Sequence, residues 1–245
     1  MKLKGIFLLT LGMVLAPTVQ AGWRDMLDGL MQDDTVTQTA SAALSNDEVI
    51  AGLREALAKG ARTAVRTLGH AGGYLDNPVV RIPMPEQLAM VESGLRKLGQ
   101  GKIADDFIGS MNHAAEQAAP LATDVFVEAI KHMSIKDAKG ILNGPDDAAT
   151  RYLRRSSGER LGQKMLPLVQ RATQKAGVTR YYKNLIGKAG FADQFVNLDG
   201  LDLDRYVTGK AMDGLFLMMA AEEKRIREDP LARGTDLLKR VFGSR

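Results

Sequence analysis

The chain has 245 residues, 45% hydrophobic, 25% charged and only 5% aromatic, with a formal net charge of +4. These values exclude a disordered, collagenous or low-complexity chain, and the length allows one large domain or two small ones. The absence of cysteine excludes disulfides, thiol chemistry and a lipid-modified amino-terminal Cys.

Residues 1–21 read as an export leader. Lys2 and Lys4 form a basic start, Ile6 to Leu15 an apolar stretch, and Pro17 ends it before the small-residue pattern Val19-Gln20-Ala21. The apolar run is short for a bilayer span, and no later segment is long and apolar enough to be one. The expectation is an exported, soluble periplasmic protein without a lipid anchor. Removing the two leader lysines leaves 31 basic residues against 29 acids, too small an excess to imply a polyanionic partner.

Residues 22–43 read as a loosely ordered lead-in with Trp23, and 44–245 as a single helical domain. Scarce aromatics leave Leu, Ala, Val, Ile and Met to build the core, a palette that favours helices. Ser45-Asn46-Asp47-Glu48 is a capping box. It opens a helix whose apolar face is Val49, Leu53, Ala56, Leu57, Gly60, Ala64 and Leu68, closed by Gly69. Gly72-Gly73 and Asn77-Pro78 then make turns, and the β-branched run 79–82 predicts one short extended segment, suited to an edge strand. Pro85 suits a first helical turn, with Leu88, Val91, Leu95 and Leu98 facing inward and Gly99 as the stop.

Further helices are predicted at 103–119, 121–133, after Ser134-Ile135-Lys136-Asp137, and after Asp146-Asp147. Ser157-Gly158 predicts a break before a long helix over 159–176, with a kink at Pro167. Another follows at 178–189, then a connection over 190–203. The helix over 204–227 is apolar all round at 214–221, which predicts burial on every side. Thr235 caps the last helix. The fold class is therefore all-α, about ten helices in a compact domain.

Three segments resemble a known family together. They are Asn77-Pro78 leading to Arg81-Ile82-Pro83-Met84-Pro85, then Ile141 to Tyr152 (Ile-Leu-Asn-Gly-Pro-Asp-Asp-Ala-Ala-Thr-Arg-Tyr), then the tail from Tyr206 to Gly243. The tail includes Gly214-Leu215-Phe216 and Glu222-Glu223-Lys224-Arg225-Ile226-Arg227. In that order they resemble exported bacterial proteins grouped as domain of unknown function 4197. The resemblance implies a helical fold and a cell-envelope address; it implies no reaction and supplies no functional residues.

No catalytic residue is expected: there is no nucleophile elbow and no phosphate loop after a strand. The candidate ligand-binding residues are His70, Tyr74, Asp76, Asn77 and Arg81, gathered in one polar loop that also suits plain turn chemistry. Arg160, Lys164, Arg171 and Lys175, spaced four, seven and four, share a helix face that suits an anionic partner or simple solvation. His113 and Glu116 read as a solvated helix pair, so no metal and no cofactor is expected. Asp146 and Asp147 read as helix caps. Asp213 is a candidate buried carboxylate, either an acid or base or a partner of Lys210 or another basic neighbour, and Met212, Met218 and Met219 read as core packing ahead of an adaptable apolar pocket.

The leading expectation is a non-enzymatic envelope protein that binds a lipid or protein partner and not nucleic acid. An enzyme built on loop 70–81 is one alternative. An assembly role for a tail ending in Leu237, Leu238, Val241 and Phe242 is the other.

Overall fold

Ser45 starts the first helix with the reciprocal bonds of a capping box. Its Oγ accepts from Glu48 N at 3.2 Å, and the Glu48 carboxylate accepts from Ser45 N at 2.9 Å. The computed structural model describes residues 45–188 and 201–243. The expected leader, the lead-in and most of the 190–203 connection lie outside them.

In chain order the described helices are α1 (Asn46–Leu68), α2 (Ala89–Lys97), α3 (Gly101–Ala118), α4 (Thr123–Lys131), α5 (Ile135–Leu142), α6 (Ala148–Ala176), α7 (Val178–Lys188), α8 (Leu203–Glu228) and α9 (Asp236–Gly243). Short 3-10 turns at Glu86–Leu88, Ala119–Ala122 and Pro230–Ala232 join some of them. The fold is all-α, and no strand occurs among the described residues.

Among the described residues the helices number nine, not the ten expected, because Ser157-Gly158 does not break the chain. α6 runs uninterrupted through it and through Pro167. One mid-helix glycine costs about 1 kcal/mol. Burial of Leu153 on one side and of Leu161, Met165 and Val169 on the other outweighs it. Gly177, with φ +73°, ends α6 in the left-handed region.

α8 lies at the centre of the packing. α1 and α6 run along it, α3 packs on α6, α7 on α3, and α9 on α1. The apolar face expected for α1 is buried throughout. Burial of α8 on every side is not observed. Leu217 is 46% exposed and Ala221 is exposed, so one face is open between the buried Leu215, Phe216 and Met219. Leu98 is not inward either. It is 63% exposed at the end of α2, where Gly99 (φ +73°) turns the chain away.

The expected extended segment at 79–82 does not pair as a strand. Val80 N and Arg81 N both donate to Asn77 O, closing a turn. Ile82, fully buried, finds its backbone partners on a side chain instead. Asn112 of α3 accepts from Ile82 N at 2.8 Å and donates to Ile82 O at 2.9 Å. One amide thus stands in for a neighbouring strand, satisfying groups that would be costly to bury unpaired.

Candidate functional site

Loop 69–85 is held by what lies beneath it. Tyr74 is fully buried, and its hydroxyl donates to Ala211 O of α8 at 2.7 Å. Gly214 makes this possible: a Cβ there would stand 2.8 Å from Tyr74 Cε1. Burial pushes the Tyr74 phenol well above its ordinary range, and the nearby Glu116 carboxylate adds to the shift.

Glu116 is not a solvated partner of His113. Only 4% exposed, it accepts from Tyr74 N and Leu75 N at 3.1 Å each and meets His113 Nδ1 at 2.9 Å. It is an internal cap for the loop.

The loop's polar residues do not converge. His70 is exposed, with Nδ1 on the neighbouring Ala71 O at 2.8 Å. Asp76 is exposed and folds over Gly72. Asn77 accepts from Val79 N at 3.1 Å, an Asx turn. Arg81 points to solvent. With Tyr74 in the core, these side chains form no common pocket, and the enzyme alternative loses its assembled site.

Asn77 alone reaches a larger feature. An open groove of about 680 Å³ is lined by Asn77 and Val79 from the loop, and by Pro145, Asp146, Asp147 and Arg151 at the start of α6. Leu217, Met218, Ala220, Ala221 and Lys224 on the open face of α8 complete it. Val79 is 69% exposed, so with Leu217 it gives the groove an apolar floor facing water. Six of the lining residues, Asn77, Pro145, Asp146, Asp147, Arg151 and Lys224, are among those that carry the family resemblance.

The groove wall is fixed from inside the protein. Asp147 occupies the N-cap position of α6 but makes no cap bond; its carboxylate pairs with Arg151 at 2.7 Å. The cap comes from α8. Glu223 accepts from Ala149 N at 2.9 Å, Thr150 N at 2.8 Å and Thr150 Oγ1 at 2.8 Å. Arg227, one turn on, donates to the same carboxylate from Nε at 3.1 Å and Nη2 at 2.9 Å. Nη2 also reaches Ile141 O at the end of α5 at 3.0 Å, and the guanidinium lies over the Phe242 ring. Its Nη1 is buried without a hydrogen bond among the described residues.

One buried ion pair therefore ties α8 to α5, α6 and α9. Its signal in the sequence is weak: Glu223 and Arg227 stand at i and i+4, a spacing shared by many solvated helix pairs.

Other expectations resolve separately. Asp213 is not buried: its side chain is 55% exposed, and the basic neighbour it pairs with is Arg154. Met212 and Met219 are core, but Met218 lines the groove. Leu238, Val241 and Phe242 are buried and Leu237 is half-buried, so the tail's apolar face is used within its own fold. Arg160, Lys164, Arg171 and Lys175 are all exposed, and Lys164 pairs with Glu128. Arg160 and Lys164 border a small pocket of about 20 Å³, room for one water and too little for a lipid chain.

Ser134 and Asp137 form the second capping box. The Ser134 hydroxyl, with help from Tyr152, holds the Asp137 carboxyl below its ordinary range. Among the described residues no helix is long and apolar enough to cross a membrane, and no three His, Asp or Glu side chains gather as a metal site.

A family model described as a protein of unknown function (DUF4197) matches residues 43–243. No curated protein and no solved structure matches the chain.

Proposed function

We propose that this chain, which belongs to the family of proteins of unknown function matched over residues 43–243 (DUF4197), is an exported, non-catalytic binding protein that docks a protein partner in the open groove beside α8. The reading takes residues 1–21 as a removed leader, 22–43 as a lead-in and 44–245 as one helical domain. One observation supports the docking site: the groove of about 680 Å³ draws its lining from three separate stretches of the chain and leaves Val79 and Leu217 as an apolar floor open to water.

The chemistry of the groove suits a peptide segment. Val79, Leu217 and Met218 offer an apolar floor, and methionine adapts its shape to varied side chains. Asp146 at one rim and Lys224 at another offer both charges for orienting a bound backbone or side chain. The small pocket beside Arg160 favours a surface-bound partner over an enclosed lipid.

The test places a photo-crosslinking amino acid at Leu217, at Val79 and, as a control, at the exposed Leu98 outside the groove, in cells exporting the full chain. The reading expects one discrete adduct from both groove positions, absent from Leu98, in the envelope fraction and on a chain shortened by its leader. Equal adducts at all three positions, or none from the groove, would refute the docking site. An unshortened chain in the cytosol would refute export.

A further inference from the structure

The charge of this chain is unevenly placed. Residues 148–188, spanning α6 and α7, hold ten Lys and Arg and a single acid, Glu159; the rest of the chain holds 23 basic residues and 28 acidic ones. All ten are exposed. Three have acidic partners: Arg151 with Asp147, Arg154 with Asp213, and Lys164 with Glu128.

Arg160, Arg171 and Lys175 have no acidic partner within bonding distance among the described residues. With Lys164 they share one side of α6, since steps of four, seven and four residues return to nearly the same helical angle. Folding pairs Lys164 with Glu128 and leaves the other three cations of this face without an acidic partner among the described residues.

The stripe runs about 22 Å from Arg160 to Lys175 at the helical rise, more than twice the ~8 Å over which salt screens charge. A single small anion cannot answer all four cations, so the complementary partner is an extended array of negative groups. We propose that the Arg160–Lys164–Arg171–Lys175 face of α6 docks on a bilayer surface carrying anionic phospholipid headgroups.

Shape and neighbouring groups favour that partner over nucleic acid. The side of a long helix is convex, and the hollow beside Arg160 and Lys164 holds about 20 Å³, so a flat surface can meet the stripe where a strand would find no channel there. The nearby aromatic rings are engaged: Tyr182 is half-buried against Phe107 and Tyr181 lies beneath Arg180. Neither of these two rings is left as a base-stacking platform. Arg151, at the groove, stands half a helical turn from Arg160, so a chain resting on the stripe keeps its groove open. The inference is independent of what the groove binds.

The test is co-sedimentation of the full chain with vesicles of phosphatidylcholine alone or with phosphatidylglycerol at about one part in three. Binding is expected on the anionic vesicles only, and is expected to fall away between about 0.05 M and 0.5 M salt. The triple variant Arg160→Gln, Arg171→Gln, Lys175→Gln should lower the partition coefficient on the order of a hundred-fold at low salt, at about five-fold per cation removed. Arg160→Lys with Arg171→Lys should retain it. The control Arg62→Gln, Arg66→Gln, Lys97→Gln, which removes the same charge from exposed sites on other helices, should change it less than about three-fold.

Equal loss in the control, or equal binding to neutral vesicles, would overturn the proposal. So would tighter binding to a single-stranded oligonucleotide than to anionic vesicles, lost in the same triple variant.

Discussion

Truncating Glu223 to alanine should be among the most damaging single changes in this protein. Glu223 is 4% exposed, and its carboxylate accepts five hydrogen bonds, three from the first turn of α6 and two from Arg227. Its removal leaves Arg227, whose side chain is 4% exposed, without a counter-charge, which costs about 3–5 kcal/mol in comparable buried pairs. The amides of Ala149 and Thr150 lose their acceptor as well, at about 1–3 kcal/mol each where water cannot replace it. Water entering the space recovers part of that, so the expected loss is about 4 kcal/mol, or roughly 8–16 °C in Tm for a chain of this size.

Arg227→Met should cost less, about 2–3 kcal/mol, because Glu223 keeps the α6 donors as partners. The double variant removes both charges and should fall short of the sum of the singles by at least about 2 kcal/mol. Urea unfolding followed by circular dichroism at constant m-value gives all three numbers. A loss under about 1 kcal/mol for Glu223→Ala, or strict additivity in the cycle, would refute the claim that this pair holds the groove wall.

Asn112→Ala should cost about 2–4 kcal/mol in the same assay, since it orphans the buried N–H and C=O of Ile82 together; a loss below about 1 kcal/mol would mean water substitutes for the amide. Gly52→Ala would place a Cβ 2.5 Å from Val241 Cγ2, so a change that should favour an isolated helix is expected to destabilise by about 1–3 kcal/mol. Adding Val241→Ala should relieve the clash, making the pair less harmful than the sum; additivity would contradict docking of α9 on α1.

Tyr74 gives the pH dependence its sign. Its folded pKa is raised, so its contribution is intact below the unfolded tyrosine value of about 10 and is lost as pH rises beyond it. The urea midpoint should fall above pH ~10 and fall less steeply in Tyr74→Phe, the remainder coming from Tyr152, Tyr182 and Tyr206, also raised by burial. An unchanged slope would contradict the burial of this phenol.

The local part of the fold was legible because its causes are local. Ser45 with Glu48 and Ser134 with Asp137 start helices through bonds three residues long, and the α1 stripe needs only a periodicity of 3.6. The readings that failed depend on partners far along the chain. Asp146-Asp147 look like caps, but the actual cap is Glu223, 73 residues after Thr150. Val79 to Ile82 looks like a strand until Asn112, 30 residues away, supplies the pairing. Apolar pattern alone could not tell that the open side of α8 would expose Leu217 beside Val79. The groove is a property of three segments brought together, so no single one of them announced it.

Hydrogen exchange at the amides of Ala149 and Thr150 tests the central claim most directly. First-turn amides of a helix ordinarily lack an internal acceptor and exchange early. Here both donate to the buried Glu223 carboxylate, and the account predicts protection close to that of the global unfolding free energy. Exchange as fast as an uncapped helix end would show that α8 does not hold the start of α6, and the groove would have no fixed wall.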